Sequence, residues 1–60
     1  MEIGQRLKKV DCPGGVFEVL EARDINGLPH FVIARVDWPS DRRIFSESTL
    51  ADERYFVEPH

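Results

Sequence analysis

Asn26-Gly27 lies between two runs rich in β-formers, and this arrangement constrains the chain more than any other feature. Both residues tolerate positive φ, which a tight two-residue hairpin turn demands. One run is Val16 to Arg23, carrying Val16, Phe17, Val19 and Leu20; the other is His30 to Val36, carrying Phe31, Val32 and Ile33. The prolines supply the remaining punctuation. Proline lacks the donor a central strand needs, so Pro13, Pro29, Pro39 and Pro59 mark loops or sheet edges. Three shorter runs fit between them: Gln5 to Val10, anchored by Leu7 and Val10, then Arg42 to Ser46, then Tyr55 to Glu58. Asp11-Cys12-Pro13-Gly14-Gly15 and Asp37-Trp38-Pro39-Ser40-Asp41 read as turn clusters. This order predicts an antiparallel meander.

Ser46 to Arg54 breaks the pattern. Ser46, Ser48 and Thr49 are good helix N-cap residues, and Thr49 with Asp52 or Glu53 resembles a capping arrangement. Leu50 and Ala51 are adjacent and three charged residues follow, so no long amphipathic helix is supported. The segment predicts one helical or 3₁₀ turn with Leu50 as its plug. Together the elements predict an all-β fold: a five-stranded small barrel with one helical turn before the last strand.

The stretches GGVFEVLEA, HFVIARV, RRIFS and STLADERYFV, in that order, resemble the strand plan of SH3-like small barrels, the group that includes Tudor and KOW domains. The plan also resembles that of small bacterial proteins. The resemblance spans roughly Gln5 to Glu58 and is architectural. The acidic Ala-Leu-Tyr-type start and paired tryptophan of true SH3 domains are absent, and Val16 to Ala34 holds less glycine than a KOW motif. It implies one SH3-like domain over residues 1–60, with family function carried over only weakly.

Size and charge narrow the functions. A chain of 60 residues buries only about 60% of the surface its unfolded form exposes, so each large apolar side chain counts. Cys12 is the only cysteine, which leaves no disulfide framework. No apolar run approaches the roughly 18 residues of a membrane span. Met1-Glu2-Ile3-Gly4 lacks the basic and apolar regions of a secretory signal, so the expected setting is cytoplasmic, with no membrane partner. The net charge is −3, from 8 basic and 11 acidic residues, opposite to the bias of nucleic-acid binders.

Period-two sorting exposes a conflict. In the third run, His30, Val32, Ala34 and Val36 share one face, and Phe31, Ile33, Arg35 and Asp37 share the other. The second run is mixed as well: Val16, Leu20 and Ala22 lie with Glu18, while Phe17 and Val19 lie with Glu21 and Arg23. A sheet wet on one side would alternate cleanly. A bulge at Val19-Leu20 with strong curvature, a cover from the Trp38 turn or a terminus, or a partner on the Phe31/Ile33 side would each resolve it. The expected inner set is Leu7, Val10, Phe17, Val19, Val32, Ala34, Val36, Ile44, Leu50 and Val57, with Phe31 and Ile33 outside.

Little catalytic chemistry is encoded. Cys12 lies beside Asp11, which disfavours thiolate, and no C-x-x-C motif is present. His30 has no nucleophile and orienting carboxylate at a telling spacing, and His60 is terminal. Asp24, Asp37 and Asp41 flank turns, a structural placement, and lack calcium-loop spacing. No catalytic residue, metal ligand or cofactor is expected. Trp38 is expected to cap the open end of the barrel, with one ring edge free for contact. The leading expectation is a non-catalytic interaction module. It binds a protein partner or a second copy through Phe31, Ile33 and Trp38, with Arg35, Arg42 and Arg43 beside them. The alternative is single-stranded nucleic acid on those three arginines and the neighbouring aromatic residues.

Overall fold

The computed structural model describes residues 1–11 and 15–58, so the expectations for Cys12 and His60 fall outside it. Five strands follow in chain order: β1 (Arg6–Lys9), β2 (Val16–Ile25), β3 (Leu28–Arg35), β4 (Trp38–Ser46) and β5 (Phe56–Val57), with the single-turn helix α1 (Glu47–Leu50) before the last. Neighbouring strands are antiparallel, in the order β4-β3-β2-β1-β5. The sheet curls into a half-barrel, and only 7% of the chain is helical.

The Asn26-Gly27 turn forms as the sequence predicts. Ile25 pairs with Leu28 across it, with φ of 54° at Asn26 and 80° at Gly27, the left-handed backbone of a primed hairpin turn. The bulge also falls at Val19-Leu20. Pairing steps from Val19↔Ile33 to Glu21↔Val32, leaving Leu20 as the extra residue. A bulge adds local twist, which helps the sheet curl. On the far side of β2, the Gly4 N–H donates to the Val19 carbonyl (2.8 Å) and the Val19 N–H to the Gln5 carbonyl (2.9 Å), so the amino-terminal turn extends the β1–β2 ladder to the same point.

The concave face holds the core: Leu7, Phe17, Val19, Phe31, Ile33, Leu50 and Phe56, with Phe45 packed against them. Leu50 arrives on α1. Ser46 caps that turn, its Oγ accepting from the Thr49 N–H at 3.3 Å, with the Thr49 hydroxyl 2.9 Å away. The cap is therefore Ser46 rather than a Thr49 box, and Leu50 is the expected plug. Phe56 is delivered by the turn before it, where the Phe56 N–H and the Tyr55 N–H both donate to the Asp52 carbonyl at 3.0 Å.

Four expectations are corrected. Phe31 and Ile33 are 7% and 0% exposed, so they belong to the core and not to an outer face. Val36, Ile44 and Val57 are exposed instead, as is Val10 at the end of β1. The cause is competition between two apolar faces: turning Phe31 and Phe45 inward beside Phe56 buries more area than turning Val32 and Ile44 inward. Val32 and Ala34 remain buried, but on the convex side, each flanked by cross-strand neighbours on β2 and β4. The fourth concerns Asp37 to Asp41. Only Val36-Asp37 turns, and β4 already begins at Trp38, with Pro39 tolerated because β4 is an edge strand.

Candidate functional site

The register sorts the expected contact residues onto different faces. Phe31, Ile33 and Arg43 project from the concave side; Ala34 and Arg42, which pair, project from the convex side. Trp38 pairs with Arg35 where the β3–β4 hairpin starts, and at 65% exposure it caps nothing, contrary to expectation. The structure thus separates Phe31 and Ile33, which are buried, from Trp38 and Arg42, which are exposed at different places: Trp38 pairs with Arg35, itself opposite the core residue Phe17, and Arg42 pairs with Ala34 on the convex side.

A convex patch takes the place of the expected one. Ile44 and Val36 are exposed there, with Val32 and Ala34 between the strands. Leu20, pushed out of register by the bulge, lines a shallow depression of about 260 Å³ beside Ala34, Val36 and Pro39, closed at its sides by Glu18 and Arg42. The signal for this patch was in the sequence, since His30, Val32, Ala34 and Val36 share a face; the choice of which face is wet was not.

A second depression opens at the mouth of the half-barrel. It is a groove of about 900 Å³, floored by Leu7, Leu50 and Phe56 and flanked by Glu47, Glu53 and Glu58. These three carboxylates come from α1, the turn after it and the residue after β5.

The charged side chains follow a simple rule. Lys9–Asp11, Glu21–Arg23, Arg35–Asp37, Asp41–Arg43 and Asp52–Arg54 are ion pairs two residues apart, at 2.7–3.4 Å. Residues i and i+2 of a strand lie on one face, which brings together Glu21–Arg23 on β2 and Asp41–Arg43 on β4; each of the other three pairs has at least one partner outside a strand. Arg6–Glu18, at 3.5 Å, is a cross-strand pair. The Arg54 guanidinium and backbone N–H, both bonded to the Asp52 carboxylate, hold that group below its ordinary range, and Asp52 in turn raises Arg54. Asp11 is lowered chiefly by its hydrogen bond from Lys9.

Of the three arginines expected to bind, Arg35 forks onto Asp37 and Arg43 onto Asp41. Arg43 also lies over the Phe17 ring, 5.5 Å from its centroid. Arg42 alone has no carboxylate partner among the described residues. The His30 Nδ1 sits 2.9 Å from the Leu28 carbonyl. Among the described residues no helix is long and apolar enough to cross a membrane, and no three His, Cys, Asp or Glu gather as metal ligands.

No known protein family, no curated protein and no solved structure matches this chain.

Proposed function

We propose that the chain is a non-catalytic interaction module of SH3-like plan that docks through its convex strand face, in the simplest form onto a second copy of itself. The fold half of this reading is supported by the strand order β4-β3-β2-β1-β5 and by the helical turn placed before the last strand. The observation that carries the docking half is the exposure of Ile44 and Val36 on the convex face, on either side of the Ala34↔Arg42 pair. The concave face carries the core, yet Ile44 and Val36 stay exposed on the other side, flanking the buried Val32 and Ala34. Contiguous apolar surface flanked by charged groups marks an interaction site. Trp38, exposed at the start of β4, pairs with Arg35, whose partner on β2 is the core residue Phe17, so it flanks the hairpin end rather than extending the convex face.

Single-stranded nucleic acid is the weaker reading, because Arg42 and Arg43 project from opposite faces and two of the three guanidiniums already face carboxylates. Sedimentation equilibrium from micromolar to millimolar protein tests the self-docking form. The expected result is a monomer–dimer shift that Ile44→Glu abolishes while the thermal midpoint stays within a few degrees of the parent. A chain monomeric across that range, with backbone amide shifts independent of concentration, overturns it.

A further inference from the structure

Ion pairing leaves an uneven remainder. The described residues include every Asp, Glu, Lys and Arg of the chain. Once the six ion pairs are set aside, Glu2, Asp24, Glu47, Glu53 and Glu58 stand against Lys8 and Arg42. That surplus equals the whole net charge of −3. Three of these five carboxylates, without an ion pair among the described residues, line one place, the groove at the mouth of the half-barrel. Arg42 is on the convex face beside Ala34, and Lys8 is not among the lining residues although its cross-strand partner Val57 is, so neither remaining side-chain cation lines the groove.

The groove is also apolar. Its floor is the concave ends of Leu7, Leu50 and Phe56, and exposed Met1 and Val57 form its walls. It shares no lining residue with the depression on the convex face. An apolar floor with carboxylates of one sign at the edge selects one kind of occupant. Apolar side chains fill the floor, while lysine or arginine side chains keep their charged heads in water at the rim and meet the carboxylates. A neutral apolar segment would gain nothing from the rim, and an acidic one would be repelled.

We propose that this groove docks a short cationic, partly apolar peptide segment of a partner protein, the segment's apolar side chains resting over Leu50 and Phe56 and its basic side chains against Glu47, Glu53 and Glu58. The surface is independent of the convex face, so either can fail without the other. Charge complementarity of this kind acts mainly on encounter and selection. The interaction is therefore weakened by salt, in step with screening over a Debye length of about 8–10 Å near physiological ionic strength.

The test is a titration of the full chain, followed by amide shifts, with a ten-residue probe peptide of lysine, leucine and serine. Two control peptides accompany it, one with each lysine replaced by glutamate and one with each leucine replaced by serine. The expected result is saturable shifts at Leu7, Leu50 and Phe56 with the first peptide, none with the glutamate control, and markedly weaker binding of the leucine-free control. The triple variant Glu47→Gln, Glu53→Gln, Glu58→Gln lowers affinity about tenfold, as the loss of three weak, solvent-screened charge pairs requires. Its thermal midpoint is unchanged or raised. Any one of three results overturns the proposal: equal binding of the leucine-free peptide, which marks mere surface charge; shifts confined to Val36 and Ile44; or full affinity in the triple variant. Concentration-dependent shifts at the groove without peptide also overturn it, because the occupant is then a second copy.

Discussion

Phe45 and Phe56 stand on the two edge strands of a five-stranded sheet, yet their ring centroids are 5.4 Å apart at an interplanar angle of 69°. Only a strongly curled sheet brings β4 and β5 this close, so the contact is the seam that keeps the half-barrel folded over its core. Phe56 also meets Phe17 edge-on, at 6.4 Å and 82°. One side chain from a two-residue strand thus ties together β2, β4 and β5.

Phe56→Ala should therefore be among the most damaging substitutions in the chain. Truncating a buried phenylalanine costs about 3–5 kcal/mol. A domain of this size has little more than that in total, roughly 0.05–0.15 kcal/mol per residue. Urea unfolding should show a variant largely unfolded in buffer, whereas Phe45→Leu keeps a cooperative transition at a lower midpoint. A Phe56→Ala chain with a near-parental midpoint would mean that the seam is ornamental and that β5 contributes little.

Much of this architecture is legible in the residues. Asn26-Gly27 fixes the central hairpin by its backbone demand, Val19-Leu20 supplies the bulge, and Ser46 with Leu50 gives the helical turn. The side of the sheet that carries the core is not legible, because a strand with Phe31 and Ile33 on one face and Val32 and Ala34 on the other satisfies both choices locally. Phe45 and Phe56 decide the matter, and their meeting is a contact between distant edges that no period-two count contains. The groove was hidden for a related reason: its carboxylates come from α1, the following turn and the residue after β5. A usable signal was present nonetheless. Glu47, Glu53 and Glu58 have no lysine or arginine two positions away, whereas every acidic residue that does have one is paired with it.

Asp52 makes a pH prediction. Its carboxylate accepts from the Arg54 guanidinium at 2.7 Å and from the Arg54 N–H at 2.9 Å, and these bonds lower its pKa from 3.8. A carboxylate with a depressed folded-state pKa stabilises the fold at every pH above its unfolded value, and loses that contribution as pH falls through the folded value. Asp11, lowered by Lys9, adds in the same direction. Asp52→Asn should therefore be less stable than the parent at pH 7, with the gap closing below about pH 4. Paired urea titrations between pH 7 and pH 2.5 measure the gap directly. A gap that stays constant to the lowest pH would assign the effect to the neutral turn geometry around the Asp52 carbonyl, not to the ionised side chain.

Arg42 and Arg43 are adjacent, but they sit on opposite faces of β4 and should respond differently to removal. The Arg43 guanidinium lies 5.5 Å from the Phe17 ring centroid while its fork faces Asp41 at 3.4 Å, so it covers one end of the core. A partly exposed cation over an aromatic ring contributes about 0.5–1 kcal/mol, and the methylene stem adds packing. Arg42 lies across from Ala34 on the convex side with no carboxylate partner among the described residues. Arg43→Ala should lower the urea midpoint by an amount worth about 1 kcal/mol, and Arg42→Ala should leave it within error. If the two arginines instead formed one nucleic-acid surface, both variants would keep the parent midpoint and both would weaken binding of a labelled single strand at low salt. Measuring stability and strand binding on the same pair of variants separates the two accounts, since a loss of stability confined to Arg43 is what a guanidinium committed to Phe17 and Asp41 requires.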